Sequence, residues 1–108
     1  TEAGINAAKP GVSTFDIFST MNQIIAEGNA VGNNVGRLGH GLGLQLTEPP
    51  SHRPGDNTII RENMVLTIEP GVEYAEGKMI VHEENIVIHK NGAELITKRA
   101  PKEIPIIK

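Results

Sequence analysis

Three side chains in this sequence carry chemistry that their neighbours do not explain. His40 is held between two glycines in Gly39-His40-Gly41, Glu69 closes the apolar run Met64-Val65-Leu66-Thr67-Ile68, and Glu83 lies inside the extended segment Met79 to Ile88. A carboxylate in an apolar strand is costly to bury unless something pairs with it. One imidazole and two carboxylates make a donor set suited to a divalent transition metal, and flanking glycines would let backbone approach a metal or substrate closely. Taken singly, each has an ordinary alternative: a strand-end Glu solvated or paired with Lys or Arg, and a glycine-flanked His on a surface loop. The remaining titratable groups have readings of their own. His52 falls in a polar loop, His82 and His89 alternate with apolar strand positions and are expected to face solvent, Asp16 is placed to cap a helix, and Asp56 sits in the turn Pro54-Gly55-Asp56-Asn57. No Gly-Lys-Ser/Thr follows the glycines, so a phosphate-binding loop is excluded, and there is no nucleophile elbow.

The elements that must position these groups follow from periodicity. Residues 1–9 read as the last turns of a helix stopped at Lys9-Pro10-Gly11, because proline cannot continue the backbone ladder. A second helix starts at Ser13, with Asp16 as the carboxylate of a capping box and Val12 with Ile17 as its hydrophobic staple. Its apolar residues Ile17, Phe18, Met21, Ile24 and Ile25 recur at helical spacing, and it is expected to end near Gly28-Asn29. From Asn29 to Gly43 the glycines at 32, 36, 39, 41 and 43 make a shaped loop that leads into a strand over Leu42 to Leu46, ended by Glu48-Pro49-Pro50. Residues 51–63 read as a polar surface loop. Met64 to Glu69 is a strand stopped by Pro70-Gly71, Met79 to Ile88 is a second long extended segment turned at Lys90-Asn91-Gly92-Ala93, and Glu94 to Thr97 returns. The tail from Lys98 to Lys108 is expected to lie along the surface as an extended strap.

Composition narrows the partners. The chain has 108 residues, enough for one domain at most. Its aromatics are Phe15, Phe18 and Tyr74, which gives no stacking platform, and its net charge of −3 is the wrong sign for a phosphate backbone, so nucleic acid is excluded as a partner. With no cysteine there is neither disulfide nor thiolate ligand, and a cytoplasmic location is favoured. Apolar runs of a few residues are far short of the ~20 needed to span a bilayer, so no membrane partner is expected. The chain opens at Thr1 without an initiator Met and in mid-element, as a piece of a longer polypeptide would.

Three ordered motifs then carry a resemblance that spans nearly the whole chain. They are Gly39-His40-Gly41-Leu42-Gly43-Leu44-Gln45-Leu46-Thr47-Glu48-Pro49-Pro50, Asn63-Met64-Val65-Leu66-Thr67-Ile68-Glu69-Pro70-Gly71, and Ile80-Val81-His82-Glu83-Glu84-Asn85-Ile86-Val87-Ile88. Together they resemble the C-terminal motifs of the pita-bread metallopeptidases of M24 type: Xaa-Pro aminopeptidases, prolidases, methionine aminopeptidases and creatinase. The resemblance implies an α+β fold, with helices packed on a curved antiparallel sheet. Residues 1–108 would then be a partial catalytic domain, the C-terminal half of a pita-bread fold, with the upstream half missing.

For chemistry it implies two divalent ions of manganese, cobalt, zinc or iron type, and a metal-activated water that attacks the scissile carbonyl of a peptide or small amide. By motif, His40, Glu69 and Glu83 match metal ligands, and Glu69 also matches the carboxylate that handles the proton of the attacking water. Such sites also use two aspartates from an upstream strand pair. The only aspartates here, Asp16 and Asp56, are a cap and a turn residue, so the site is incomplete and the isolated chain is expected to be inactive. Seven residues beyond the ligand histidine, where these peptidases commonly carry a second, substrate-binding histidine, stands Thr47. That departure resembles the branch containing ectoine hydrolase and a metal-dependent dimethylsulfoniopropionate lyase. The alternative to an enzyme is a metal-free pita-bread binding module. A lone half would expose apolar sheet surface, and a homodimer is expected to cover it.

Overall fold

A computed structural model describes residues 1–31 and 36–108; Gly32 of the glycine-rich loop lies outside the described residues. Two helices, α1 (Glu2–Ala7) and α2 (Thr14–Glu27), precede seven short strands: β1 (Gly39–Gly41), β2 (Glu48–Ser51), β3 (Val65–Ile68), β4 (Gly71–Ala75), β5 (Lys78–Val81), β6 (Glu84–His89) and β7 (Gly92–Leu95). The start of α2 is the capping box read from the sequence: Ser13 Oγ accepts from Asp16 N while the Asp16 carboxylate accepts from Ser13 N at 2.9 Å. Gly28 closes the helix.

Five strands form one antiparallel sheet in the order β2-β1-β3-β6-β7, and β4 pairs with β5 in a separate two-stranded sheet. In the ladder between β3 and β6, Leu66 faces Ile86 and Ile68 faces Glu84, which sets one side of the sheet; Thr67 faces Asn85 on the other. The helices cover the first side. Ile5 and Ala8 from α1, Ile17 and Met21 from α2, Leu38, Ile60 and the strand residues Leu66, Ile68, Ile86 and Ile88 make a single buried cluster. Each isoleucine withdrawn from water there contributes about 1.5–3 kcal/mol. The architecture is the α+β arrangement of helices on an antiparallel sheet that the sequence implied.

Several local expectations are corrected. The strand expected at Leu42 to Leu46 does not form: Leu44 and Leu46 are exposed, and the segment is a bend held from beneath by Glu48, whose Oε2 accepts from Gln45 N at 3.3 Å. The alternation of leucines there faces no core. Glu48-Pro49-Pro50, read as a stop, is instead most of β2. A strand at the sheet edge tolerates proline because it need not donate outward. The extended segment from Met79 to Ile88 is broken at His82-Glu83, with β5 joining β4 and β6 joining the main sheet. Nor is 51–63 a plain surface loop: Ile60 N donates to Val12 O and Thr14 N to Thr58 O, which docks it on the start of α2 and buries His52 and Ile60.

Candidate functional site

His40 lies at the centre of β1, almost fully buried, between β2 and β3. The glycines on either side serve strand packing. A Cβ on Gly39 would sit 2.1 Å from Thr67 O and 2.5 Å from His52 Cδ2, and one on Gly41 would sit 2.4 Å from Pro49 O. Gly39 also has φ +146°, a conformation L side chains rarely adopt. The sequence assigned these glycines to close approach by metal or substrate; what approaches is neighbouring backbone and the ring of His52. The pairing of β1 with β2 slips between His40 and Gly41, and such a bulge re-aims the side chain beside it.

His40 Nδ1 lies 2.8 Å from its neighbour's carbonyl, Gly41 O, and Nε2 lies 3.5 Å from Glu69 Oε2. A carbonyl can only accept, so Nδ1 carries a hydrogen and Nε2 is the ring atom turned toward the carboxylate. Glu69 follows β3 directly and is tied by its backbone, N to Leu38 O at 2.9 Å, so its position is set by the sheet. The cross-strand row His40–Thr67–Asn85 lies on this side, with Thr67 Oγ1 donating to Asn85 Oδ1 at 2.7 Å.

Glu83 is exposed and sits between β5 and β6. The β3–β6 register ends at Ile68 opposite Glu84, so Glu69 and Glu83 each lie one residue beyond the paired strands. Among the described residues no group of three or more His, Asp or Glu side chains comes together closely enough to hold a metal. The structure therefore assembles the His40–Glu69 pair, while the Glu83 carboxylate stands apart from it. Thr47 is exposed in the bend between β1 and β2. The donor chemistry of the pair fits a divalent ion, with further ligands needed to complete its coordination.

Asp16 and Asp56 are engaged elsewhere. Asp56 accepts from Ser51 N, Thr58 N and the Thr14 hydroxyl at 2.8–3.0 Å; desolvation opposes its ionisation, but these bonds outweigh it and hold the carboxyl down to about 2.

Three residues escaped the sequence reading. His52, assigned to a polar loop, is wholly buried under Gly39, and neither ring nitrogen has a hydrogen-bond partner of good geometry among the described residues. Desolvation pushes its pKa down to about 4. His82, expected to face solvent, is half-buried between the Thr1 hydroxyl and Glu84. Glu84, beside Glu83 in the sequence, is 1% exposed. A strand of alternating parity gives one Glu to each side, but the sequence does not say that a buried acid waits on the apolar side. His89 is solvent-facing as expected, paired with Glu94.

Comparison with known proteins is consistent with this geometry. The model of a family described as metallopeptidase family M24 matches residues 1–90. An Xaa-Pro dipeptidase of Pyrococcus furiosus is 36% identical over 94 residues, which is 87% of this chain and 27% of that protein. The crystal structure of the prolidase from Pyrococcus horikoshii superposes with a TM-score of 0.87 at 36% identity, over 95% of this chain and 30% of that one. An Xaa-Pro dipeptidase from Bacillus anthracis gives a TM-score of 0.88 at 30% identity, over 98% and 30% respectively. The chain thus spans less than a third of the length of these relatives.

Proposed function

The chain belongs to metallopeptidase family M24, and from that membership we propose that it contributes His40, Glu69 and Glu83 to a site hydrolysing a peptide or related amide bond of Xaa-Pro type. The observation that carries this is the His40–Glu69 contact, 3.5 Å between the ring nitrogen not engaged by Gly41 O and a carboxylate oxygen. Two divalent ions of manganese, cobalt, zinc or iron type, when bound, would supply an activated water and polarise the scissile carbonyl. His40 would hold an ion through Nε2, because Nδ1–H is committed to Gly41 O. Glu69 would share that ion and take the proton released by the attacking water, which needs a carboxylate placed by a rigid strand end. Glu83 would add a second carboxylate from the segment between β5 and β6.

Thr47 favours a second reading of the substrate. An exposed hydroxyl at that position can donate or accept a hydrogen bond to substrate but cannot act as an imidazolium, so a small cyclic amide of ectoine type competes with a dipeptide. The reading as a metal-free binding module is disfavoured by the presence together of His40, Glu69 and Glu83. A cytoplasmic location, without nucleic-acid or membrane partners, belongs to the same proposal. It is supported by the acidic balance and the absence of cysteine, and no helix among the described residues is long and apolar enough to cross a membrane.

The test compares a full-length protein containing this chain with the isolated 108 residues, each with added Mn2+, against an Xaa-Pro dipeptide and ectoine. Turnover of either substrate by the full-length protein alone is the expected result. Turnover by the isolated chain would contradict the assignment of an incomplete ligand set, and no turnover or metal uptake by the full-length protein would leave the binding module as the better reading.

A further inference from the structure

Glu84 is an unexpected occupant of its face. It points to the helix side of β6 with Ile86 and Ile88, yet its carboxylate is fully engaged. Oε2 accepts from Thr97 Oγ1 at 3.0 Å, and Oε1 accepts from Ala100 N at 2.9 Å. His82 Nε2 and Arg99 Nε lie 3.7 and 3.8 Å from Oε1, and Arg99 reaches on to Glu2 of α1. The Thr97 hydroxyl also accepts from Asn85 N at 3.2 Å, so one side chain links the strand's first two residues to the strap that follows β7. Desolvation raises the Glu84 carboxyl, but the Ala100 and Thr97 hydrogen bonds and the His82 and Arg99 charges outweigh it and keep it below its ordinary value.

Stability alone does not account for such a group, since replacing a buried ion pair by well-packed apolar side chains is often neutral or stabilising. What a satisfied buried carboxylate adds is directionality, because its hydrogen bonds allow few arrangements. A clamp on Glu84, the first residue of β6, fixes the backbone from which Glu83 departs, at the point where the chain leaves β5 and enters the main sheet.

We propose that Glu84, together with Thr97, is a positioning residue for Glu83, holding the backbone at the entry to β6 from which that carboxylate extends. The inference rests on the metal-site reading above. It places no new ligand: Glu84 and Thr97 act from the far side of the sheet, through the backbone of β6.

The test is the affinity of a full-length protein containing this chain for Mn2+ alone, from electron paramagnetic resonance of the free ion, well below the unfolding temperature. Glu84→Ala and Thr97→Val are expected to weaken binding by about tenfold or more, the scale seen when groups that orient metal ligands are removed. Glu84→Gln, which keeps an acceptor for Ala100 N, is expected to recover most of the loss. Ile88→Val, a core change on the same face without any part in the clamp, is expected to leave affinity unchanged. If Glu84→Ala does not fold, Thr97→Val decides. Unchanged affinity in the clamp variants, or an equal loss in Ile88→Val, overturns the proposal while the metal site stands. A wild-type protein that binds no Mn2+ overturns the site and the proposal together.

Discussion

Acid should unfold this chain through His52 well before its carboxylates titrate. The ring is fully buried beneath Gly39 without a good hydrogen-bond partner, and its pKa falls from 6.5 to about 4 because protonation would place a charge in a desolvated space. A folded value below the unfolded one means that, between the two, the unfolded chain binds a proton the native chain refuses. The stability gained from keeping His52 neutral is therefore complete above pH 6.5 and is lost as the pH falls toward 4. At about 1.4 kcal/mol per pH unit, the whole effect is about 3 kcal/mol, of which about 2 kcal/mol is gone by pH 5. Asp56, held down from 3.8 to about 2, stays ionised in the native state across that window, and its unfolded carboxyl takes up protons only below about pH 5, so it adds little slope above that pH. Urea unfolding followed by circular dichroism at pH 7.5, 6, 5 and 4.5 measures the loss. Repeating it on His52→Leu removes the titrating group. Wild type should lose about 2 kcal/mol between pH 7.5 and 5 while the variant stays nearly flat. Parallel curves for the two proteins would refute the assignment of the acid sensitivity to His52.

Gly39→Ala should destabilise by about 2–5 kcal/mol in the same urea assay, since its Cβ meets Thr67 O and His52 Cδ2 at 2.1 and 2.5 Å and its φ is +146°. In a full-length protein, His40→Ala and Glu83→Ala should each abolish metal retention measured by elemental analysis after gel filtration, whereas His89→Ala should be nearly silent, because its pairing with Glu94 is between exposed groups. The isolated chain should run as a dimer in light scattering, since Leu44, Leu46, Met79, Ile80 and Val81 are all exposed; a monodisperse 11.6 kDa species would count against it.

The sequence exposed whatever depends on local chemistry. Ser13 and Asp16 announce a helix start because a capping box is completed within four residues, and β3 is legible because Met64 to Ile68 is apolar but for Thr67 and is followed by Pro70-Gly71. What stayed hidden depends on neighbours far along the chain. Leu42 to Leu46 has the alternation of a strand, but no sheet face is offered to its leucines, and the carboxylate of Glu48 organises the segment instead. Pro49-Pro50 looks like a stop and is an edge strand, because an edge asks nothing of the missing N–H. His52 looks polar and local, yet it is buried by contacts with Gly39, distant in sequence and adjacent in space.

The candidate site divides in the same way. The types of His40, Glu69 and Glu83 could be picked out from the sequence, and the β3–β6 register leaves the two glutamates one residue beyond its last pair, Ile68 with Glu84. The meaning of Gly39 and Gly41 could not: glycine states that something comes close, and only the fold shows that it is Thr67, His52 and Pro49. The pair Glu83-Glu84 carries this furthest. Two identical residues in succession offer no preference as to which serves the site, but β6 turns Glu84 toward the core, where Thr97 and Ala100 meet it, and leaves Glu83 exposed before the strand begins. A one-residue slip of β6 would exchange them, placing Glu83 among the isoleucines and the clamped carboxylate on the open face. On the proposal that the clamp positions Glu83, the Thr97 hydroxyl is as informative about the site as the two carboxylates themselves.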